Sequence, residues 1–100
     1  MSRWNCGIEG CERAFGDAES AVVHQAAEHP HHECQVCGTV VPEGYFAIRH
    51  AMDEHTRAEY VRAYDADASD IRRREEIKEV VEGAADLRQV VDRLESEGYL

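Results

Sequence analysis

The chain has little lysine and no long apolar run, and each shortage limits what the protein can be. Its 100 residues include a single lysine, Lys78, and 11 basic residues stand against 21 acidic ones, for a formal net charge of -10. A broad phosphate-binding surface is therefore not the first expectation. The amino terminus lacks the apolar segment of a signal peptide, and no stretch approaches the roughly eighteen apolar residues of a membrane span. We therefore expect a cytoplasmic protein without membrane contact.

Apolar residues are also too few for a chain of this length to be stable through burial alone. A hydrophobic content of 43% in 100 residues allows one small domain, or a pair of very small ones that need additional stabilisation. All four cysteines and all six histidines lie between Cys6 and His55. Without a secretory signal, such cysteines are more often metal ligands than disulfide partners.

The cysteines and histidines form two successive quartets with the same order and similar spacing. The quartets are Cys6, Cys11, His24 and His29, followed by Cys34, Cys37, His50 and His55. Both fit a pattern of two nearby cysteines, a gap of twelve residues and two histidines three to five residues apart. A short gap between cysteines lets a hairpin direct two thiolates at one ion, and histidines one turn apart project from one helix face. We predict two Zn²⁺ ions per chain, each with four protein ligands.

Both segments resemble two-cysteine, two-histidine zinc fingers of the ββα type, over about positions 4 to 55. Phe15 occupies the aromatic position that this family places after the second cysteine. Ala21, Val41 and Ala47 stand where the family has larger residues, which indicates small cores that depend on the metal or on each other. The acidic composition with one lysine is similar to that of small zinc-finger proteins of halophilic archaea.

The predicted fold is α+β and mostly α, with two small ββα fingers packed together and an amphipathic helical region after them. The boundaries are residues 1–29 for the first finger, 30–33 for a short linker, 34–55 for the second finger and 56–100 for the helical region. Asp17 is the predicted cap of a first finger helix that ends near His29. The second finger helix is predicted to begin near Pro42 or Glu43 and to continue to about residue 64.

A final helix is predicted from Asp70, with Ser69 or Asp70 as its cap, to about Glu97. Its apolar residues are spaced three and four apart, namely Ile77, Val80, Ala84, Leu87, Val91 and Leu94. Such a stripe has to be covered by the helix around Tyr60 and Tyr64, by a second copy or by a partner. Docking within the chain is favoured over a homodimer through this helix, because the stripe is short and Gly83 weakens its middle.

Base reading by the fingers is one alternative that the sequence leaves open. Aligned with the family, the reading positions hold Asp17, Glu19, Ser20 and Val23 in the first finger and Glu43, Tyr45, Phe46 and Arg49 in the second. Only Arg49 offers the common bidentate contact to guanine. The dense basic cluster Arg72, Arg73 and Arg74 either contacts phosphate or is neutralised by Asp70, Glu75 and Glu76.

The leading hypothesis is a small zinc-finger protein that acts as a protein-interaction or regulatory adaptor. Its candidate partner-binding residues are Tyr45, Phe46, Val80, Leu87, Val91 and Leu94, although the aromatic pair also fits a finger core. The alternative is a DNA- or RNA-binding transcriptional regulator that uses Arg49 and Arg72 to Arg74. An enzyme is not expected, because a zinc ion with four protein ligands has no position for a reactive water. His31 and His32 are interpreted as solvated connector residues.

Overall fold

The computed structural model describes residues 3–8 and 10–99, and over these it contains two small antiparallel sheets and five helices. The elements are β1 (Trp4–Asn5), β2 (Ala14–Phe15), α1 (Ala18–Glu28), β3 (His32–Glu33), β4 (Val40–Val41), α2 (Tyr45–Glu54), α3 (Arg57–Tyr64), α4 (Ala68–Ala84) and α5 (Leu87–Ser96). Strand β1 pairs with β2, and β3 pairs with β4. Each hairpin is followed by a helix, which confirms the predicted α+β fold with two ββα units.

The first finger helix begins where the sequence predicts. Asp17 has an extended backbone, and its carboxylate accepts a hydrogen bond of 2.7 Å from the backbone N–H of Ser20. This contact satisfies one of the N–H groups that lack a partner at a helix start. Helix α1 ends at Glu28, and His29 returns to extended backbone before Pro30. The capping chemistry of α1 is therefore local and readable from sequence.

The second finger helix begins at Tyr45, slightly later than predicted, because its start depends on the first finger. Gly44 precedes it with a φ of 85°, a conformation that favours glycine. Having no side chain, Gly44 cannot cap the helix, and Gln25 of α1 does so instead. The Oε1 of Gln25 accepts a 3.0 Å hydrogen bond from the N–H of Tyr45, and its Nε2 donates to the carbonyl of Cys6. One side chain thereby joins the two fingers.

The predicted continuation of the second finger helix to residue 64 is wrong. Helix α2 ends at Glu54, His55 is extended, and α3 begins at Arg57. The cause is a capping box: the Thr56 hydroxyl accepts from the N–H of Glu59, and the Glu59 carboxylate accepts from the N–H of Thr56. Because this box satisfies the donors of a new helix start, it competes with continuation of the old helix.

The single C-terminal helix is also corrected, because the chain forms α4 and α5 with a break at Ala85 and Asp86. Asp67 caps α4 in a second capping box completed by Asp70, so neither Ser69 nor Asp70 is the cap. Asp86 caps α5 by accepting from the N–H of Gln89. The apolar stripe consequently divides between two helices that face different neighbours.

The main hydrophobic core includes both finger helices and α5. Its buried members are Val22, Val23, Ala26, Tyr45, Phe46, Val90 and Leu94. A second, smaller core joins α2, α3 and α4 through Ala51, Tyr60 and Ile71. The α5 part of the C-terminal stripe is thus covered within the chain, but by the two finger helices and not by the helix around Tyr60 and Tyr64 that the sequence predicts.

Both hydrophobic cores extend across the segment boundaries that the sequence predicts. Strand β3 begins at His32, inside the predicted linker 30–33. The main core joins the two fingers, and both cores cross the boundary between residues 55 and 56. Among the described helices, none combines the length and the apolarity that crossing a bilayer requires.

Candidate metal centres

The first quartet assembles where the β1–β2 hairpin meets α1. Cys6 follows β1, Cys11 lies before β2, His24 is on α1, and His29 is the extended C-cap residue that follows Glu28. The Cys6 Sγ lies 3.3 Å from the Nε2 of His29, and the Cys11 Sγ lies 3.4 Å from the Nε2 of His24. The two Nε2 atoms are 3.2 Å apart, and all four donor atoms lie within 4.8 Å of one another.

The second quartet repeats this arrangement with the β3–β4 hairpin and α2. The Cys34 Sγ lies 3.4 Å from the Nε2 of His55, and the Cys37 Sγ lies 3.3 Å from the Nε2 of His50. Its four donor atoms also lie within 4.8 Å of one another. The structure therefore brings together each of the two quartets that spacing predicts.

Both quartets fit one ion each by size and by chemistry. A tetrahedral zinc with Zn–S of about 2.3 Å and Zn–N of about 2.0 Å separates sulfur from nitrogen by about 3.5 Å and nitrogen from nitrogen by about 3.3 Å. The observed separations of 3.2 to 3.4 Å match these values closely. Two thiolates and two imidazoles are also the donor set that favours zinc over calcium or magnesium. Each quartet could therefore hold one metal ion.

Backbone hydrogen bonds position the cysteine pairs. In the first finger the N–H of Cys6 donates to the carbonyl of Arg13, and the N–H of Cys11 donates to the carbonyl of Ile8. In the second finger the N–H of Cys34 donates to Thr39 at 2.8 Å, and the N–H of Gly38 donates back to Cys34 at 2.7 Å. The tight turn at Gly38 requires its φ of 78°, which glycine adopts at little cost.

The local environments favour the protonation states that bind metal at two of the ligands. Hydrogen bonds from Thr39, assisted by His50, lower the pKa of the exposed Cys37 thiol to about 6, which favours the thiolate at neutral pH. Burial lowers the pKa of His24 and so favours its neutral imidazole. Burial instead raises the pKa of Cys6, so this thiol depends more on a metal ion for its deprotonation.

A comparison with protein-family models matches residues 3–94 to a family of unknown function, DUF7565. The chain belongs to this family. No curated protein and no solved structure matches it. The match covers both quartets and most of α5, so the family unit includes the C-terminal helices together with the fingers.

In this DUF7565 protein three of the eight positions predicted for base reading are buried. Val23 is 9% exposed, Tyr45 is 1% exposed and Phe46 is 5% exposed, and all three pack in the core with α5. Arg49 is half-buried, with its guanidinium 5.0 Å from the centre of the Phe46 ring. Direct contact of Val23, Tyr45 or Phe46 with bases would require α5 to undock.

The same burial changes the set of candidate partner residues. Tyr45, Phe46 and Leu94 belong to the core, so the core interpretation of the aromatic pair is the one the structure shows. Leu87 and Val91 pack partly against this core. Val80, which is 57% exposed, is the member of the predicted set that remains open to a partner.

The arginine cluster has a different environment from the predicted one. Arg72 and Arg73 are exposed, whereas Arg74 is half-buried and its guanidinium lies 6.0 Å from the centre of the Tyr60 ring. Arg74 donates to the backbone carbonyl of Asp70, not to its carboxylate. Glu75 pairs with Arg57 at 2.7 Å. The side chains of Asp70 and Glu75 therefore do not neutralise the arginine cluster as predicted.

Sequence reasoning also missed the polar contacts that join distant elements. His32 is not a solvated connector residue, because its Nε2 lies 2.8 Å from the hydroxyl of Tyr64 on α3. That hydroxyl also accepts a 3.0 Å hydrogen bond from the N–H of Gln35, while His31 is exposed. No spacing in the sequence relates His32 to Tyr64, so no local signal could have found this contact.

Proposed function

We propose that the protein is a structural zinc protein that acts as a small protein-interaction or regulatory adaptor. The convergence of two Cys₂His₂ quartets carries the zinc part of this proposal. Cys6, Cys11, His24 and His29 would hold one Zn²⁺ ion, and Cys34, Cys37, His50 and His55 would hold the other. Bound zinc would supply folding free energy, on the order of 10 kcal/mol per site in modules of this kind.

The adaptor part rests on what the finger helices contact. Three of the eight predicted reading positions, Val23, Tyr45 and Phe46, are apolar and pack in the core with α5, and the chain carries a net charge of -10. Such a charge repels phosphates and does not supply the counterion release on which nucleic-acid affinity depends. Four protein ligands per ion also leave no position for a reactive water, so the proposed function is not enzymatic.

Native mass spectrometry tests the zinc assignment directly. The wild-type chain is expected to carry two zinc ions, and Cys11→Ser or Cys37→Ser is expected to carry one. His31→Ala is the matched control, because His31 is exposed and outside both quartets, and it should keep two ions. A count of zero in protein purified without chelators would overturn the assignment.

A nucleic-acid-binding regulator is the second candidate, and one observation favours it. Arg72 and Arg73 are exposed, and within residues 3–8 and 10–99 neither has a carboxylate within 4.0 Å. Titrations with duplex DNA and with RNA at several salt concentrations separate the candidates. Affinity that falls with salt and disappears in Arg73→Ala or Arg49→Ala would replace the adaptor proposal. No binding at low salt would exclude the regulator.

A further inference from the structure

Helix α4 and the first finger form the two walls of an open groove, which we call the α4 groove. It consists of two adjoining clefts of about 440 and 420 Å³. The clefts share Gly7 and Ile8 from the first finger and Gly44 and Ile48 from the second. These volumes lie in the range of pockets that bind ligands or short peptide segments.

One end of the α4 groove is apolar and partly solvent-exposed. Trp4 of β1 lines it on one side, and Ile77, Val80 and Val81 of α4 line it on the other. Ile77 is 42% exposed and Val80 is 57% exposed. Contiguous apolar residues of this size around a concave surface are typical of interaction sites, whereas isolated exposed apolar residues are not.

Two neighbouring arginines also line the α4 groove. Arg73 lines the apolar cleft and Arg74 lines the adjoining one. Among the described residues no carboxylate lies within 4.0 Å of either guanidinium, although the chain contains 21 acidic residues. Glu43 and Glu76 also line the clefts, and Glu43 lies 3.8 Å from His32. Arg74 already donates to the carbonyl of Asp70, whereas Arg73 is exposed and its side chain makes no hydrogen bond or ion pair with the described residues, so its donors are available to a carboxylate from outside.

We propose that the α4 groove binds a peptide segment of a partner protein in which apolar side chains stand beside one acidic side chain. The apolar side chains pack against Trp4, Ile77 and Val80, and the carboxylate accepts paired hydrogen bonds from Arg73, which lines the same cleft. Arginine suits this role because its planar guanidinium matches a carboxylate in a bidentate arrangement. This inference rests on the adaptor part of the proposed function and identifies its surface and its partner chemistry.

Two other occupants fit the α4 groove less well. A second copy of this chain would bring two net charges of -10 together, and that repulsion opposes association except where salt screens it. A nucleic acid would contact the two arginines, but its phosphates would leave Ile77 and Val80 without an apolar partner. A peptide with apolar and acidic side chains matches both the apolar residues and the exposed arginine of the groove.

A random dodecapeptide library displayed on phage tests the proposal against the zinc-loaded full chain. Wild-type protein should enrich peptides with Asp or Glu beside Leu, Ile, Phe or Trp. Arg73→Glu should shift the preference of the library toward Lys or Arg. The tightest selected peptide, made synthetically, should bind Ile77→Asp at least about tenfold more weakly than wild type.

Matched controls separate the α4 groove from general effects of charge and exposure. Val61→Asp changes an apolar residue of similar exposure, 39% against 42% for Ile77, on a different helix. Arg88→Glu makes the charge change of Arg73→Glu at an exposed position on α5. Both controls should bind the selected peptide as wild type does, and all four variants should retain two zinc ions by native mass spectrometry.

Three results would overturn the proposal: no enrichment by wild-type protein, equal binding of the selected peptide to Ile77→Asp and wild type, or competition by duplex DNA with no peptide preference for acidic residues. None of these results changes the zinc count. If a cross-linked partner protein is captured equally by wild type and Ile77→Asp, the adaptor role stands and the groove assignment fails.

Discussion

Leu94→Ala tests whether α5 holds the two fingers together as the structure indicates. Leu94 is 0% exposed and packs with Val22 of α1, Phe46 of α2 and the rest of the main core. Truncation of a fully buried leucine removes its burial and leaves a cavity, and the free energy of unfolding typically falls by about 2 to 5 kcal/mol. For a domain of this size each kcal/mol lowers the melting temperature by roughly 4 to 8 °C. We therefore expect a melting temperature lower by about 8 to 40 °C.

Thermal unfolding followed by circular dichroism, with saturating zinc throughout, measures this effect. Val80→Ala is the control, because Val80 belongs to the same predicted apolar stripe but is 57% exposed. Its effect should stay within about 0.5 kcal/mol. If Leu94→Ala unfolds at the same temperature as Val80→Ala, α5 is not docked on the fingers, and the argument that their reading faces are covered fails with it.

Two further predictions concern the contacts between elements. Gly44→Ala should lower the free energy of unfolding by about 1 to 3 kcal/mol, because its φ is 85° and the new Cβ would lie 2.5 Å from Gln25. Gly83 lies in the last turn of α4, where a new Cβ would meet nothing within 4 Å, so Gly83→Ala should raise the free energy of unfolding. Denaturant midpoints that shift in the same direction for Gly44→Ala and Gly83→Ala would contradict this reasoning. Tyr45→Phe should cost about 1 to 3 kcal/mol at pH 7, because the Tyr45 hydroxyl donates to Glu82 at 2.7 Å. The hydrogen bond from Tyr45 is the largest cause that lowers the pKa of Glu82, and Lys78 is a smaller one. The stabilisation from this contact is therefore present above the usual pKa of glutamate and is lost as the pH falls through the lowered pKa. The difference in denaturant midpoint between wild type and Tyr45→Phe should therefore shrink toward acid pH. Both proteins carry the same quartets, so loss of metal at acid pH affects them alike. A difference that stays constant with pH would argue against the contact between Tyr45 and Glu82.

The quartets and the hairpin–helix units could be predicted because their determinants are local. The spacing of the cysteines and histidines places each pair on one short turn or one helix face. The start of α1 could also be predicted, because Asp17 caps this helix with its own carboxylate. The break between α2 and α3 was equally local, since Thr56 and Glu59 stand at capping-box spacing. The prediction of a continuous helix instead rests on the absence of proline and glycine between Thr56 and Tyr64.

The packing of the helices could not be predicted in this way, because it depends on residues far apart in sequence. The apolar stripe from Ile77 to Leu94 shows that a face must be covered, but not by what. The break at Ala85 and Asp86 rotates the two halves of the stripe apart, so Leu94 enters the core while Val80 stays exposed. The contact between Gln25 and Tyr45 likewise depends on how two fingers pack, which their separate spacings do not determine.

The shared core implies that metal binding at one finger is coupled to the rest of the chain. Helix α5 packs on α1, which carries His24, and the main core also includes Tyr45 and Phe46 of α2, which carries His50. Binding free energy on the order of 10 kcal/mol per site is comparable with the total stability of a typical domain. Loss of either ion should therefore loosen α5 as well as its own hairpin. The fingers and C-terminal helices are then expected to unfold as one cooperative unit, with α5 transmitting the effect of each zinc ion to the other.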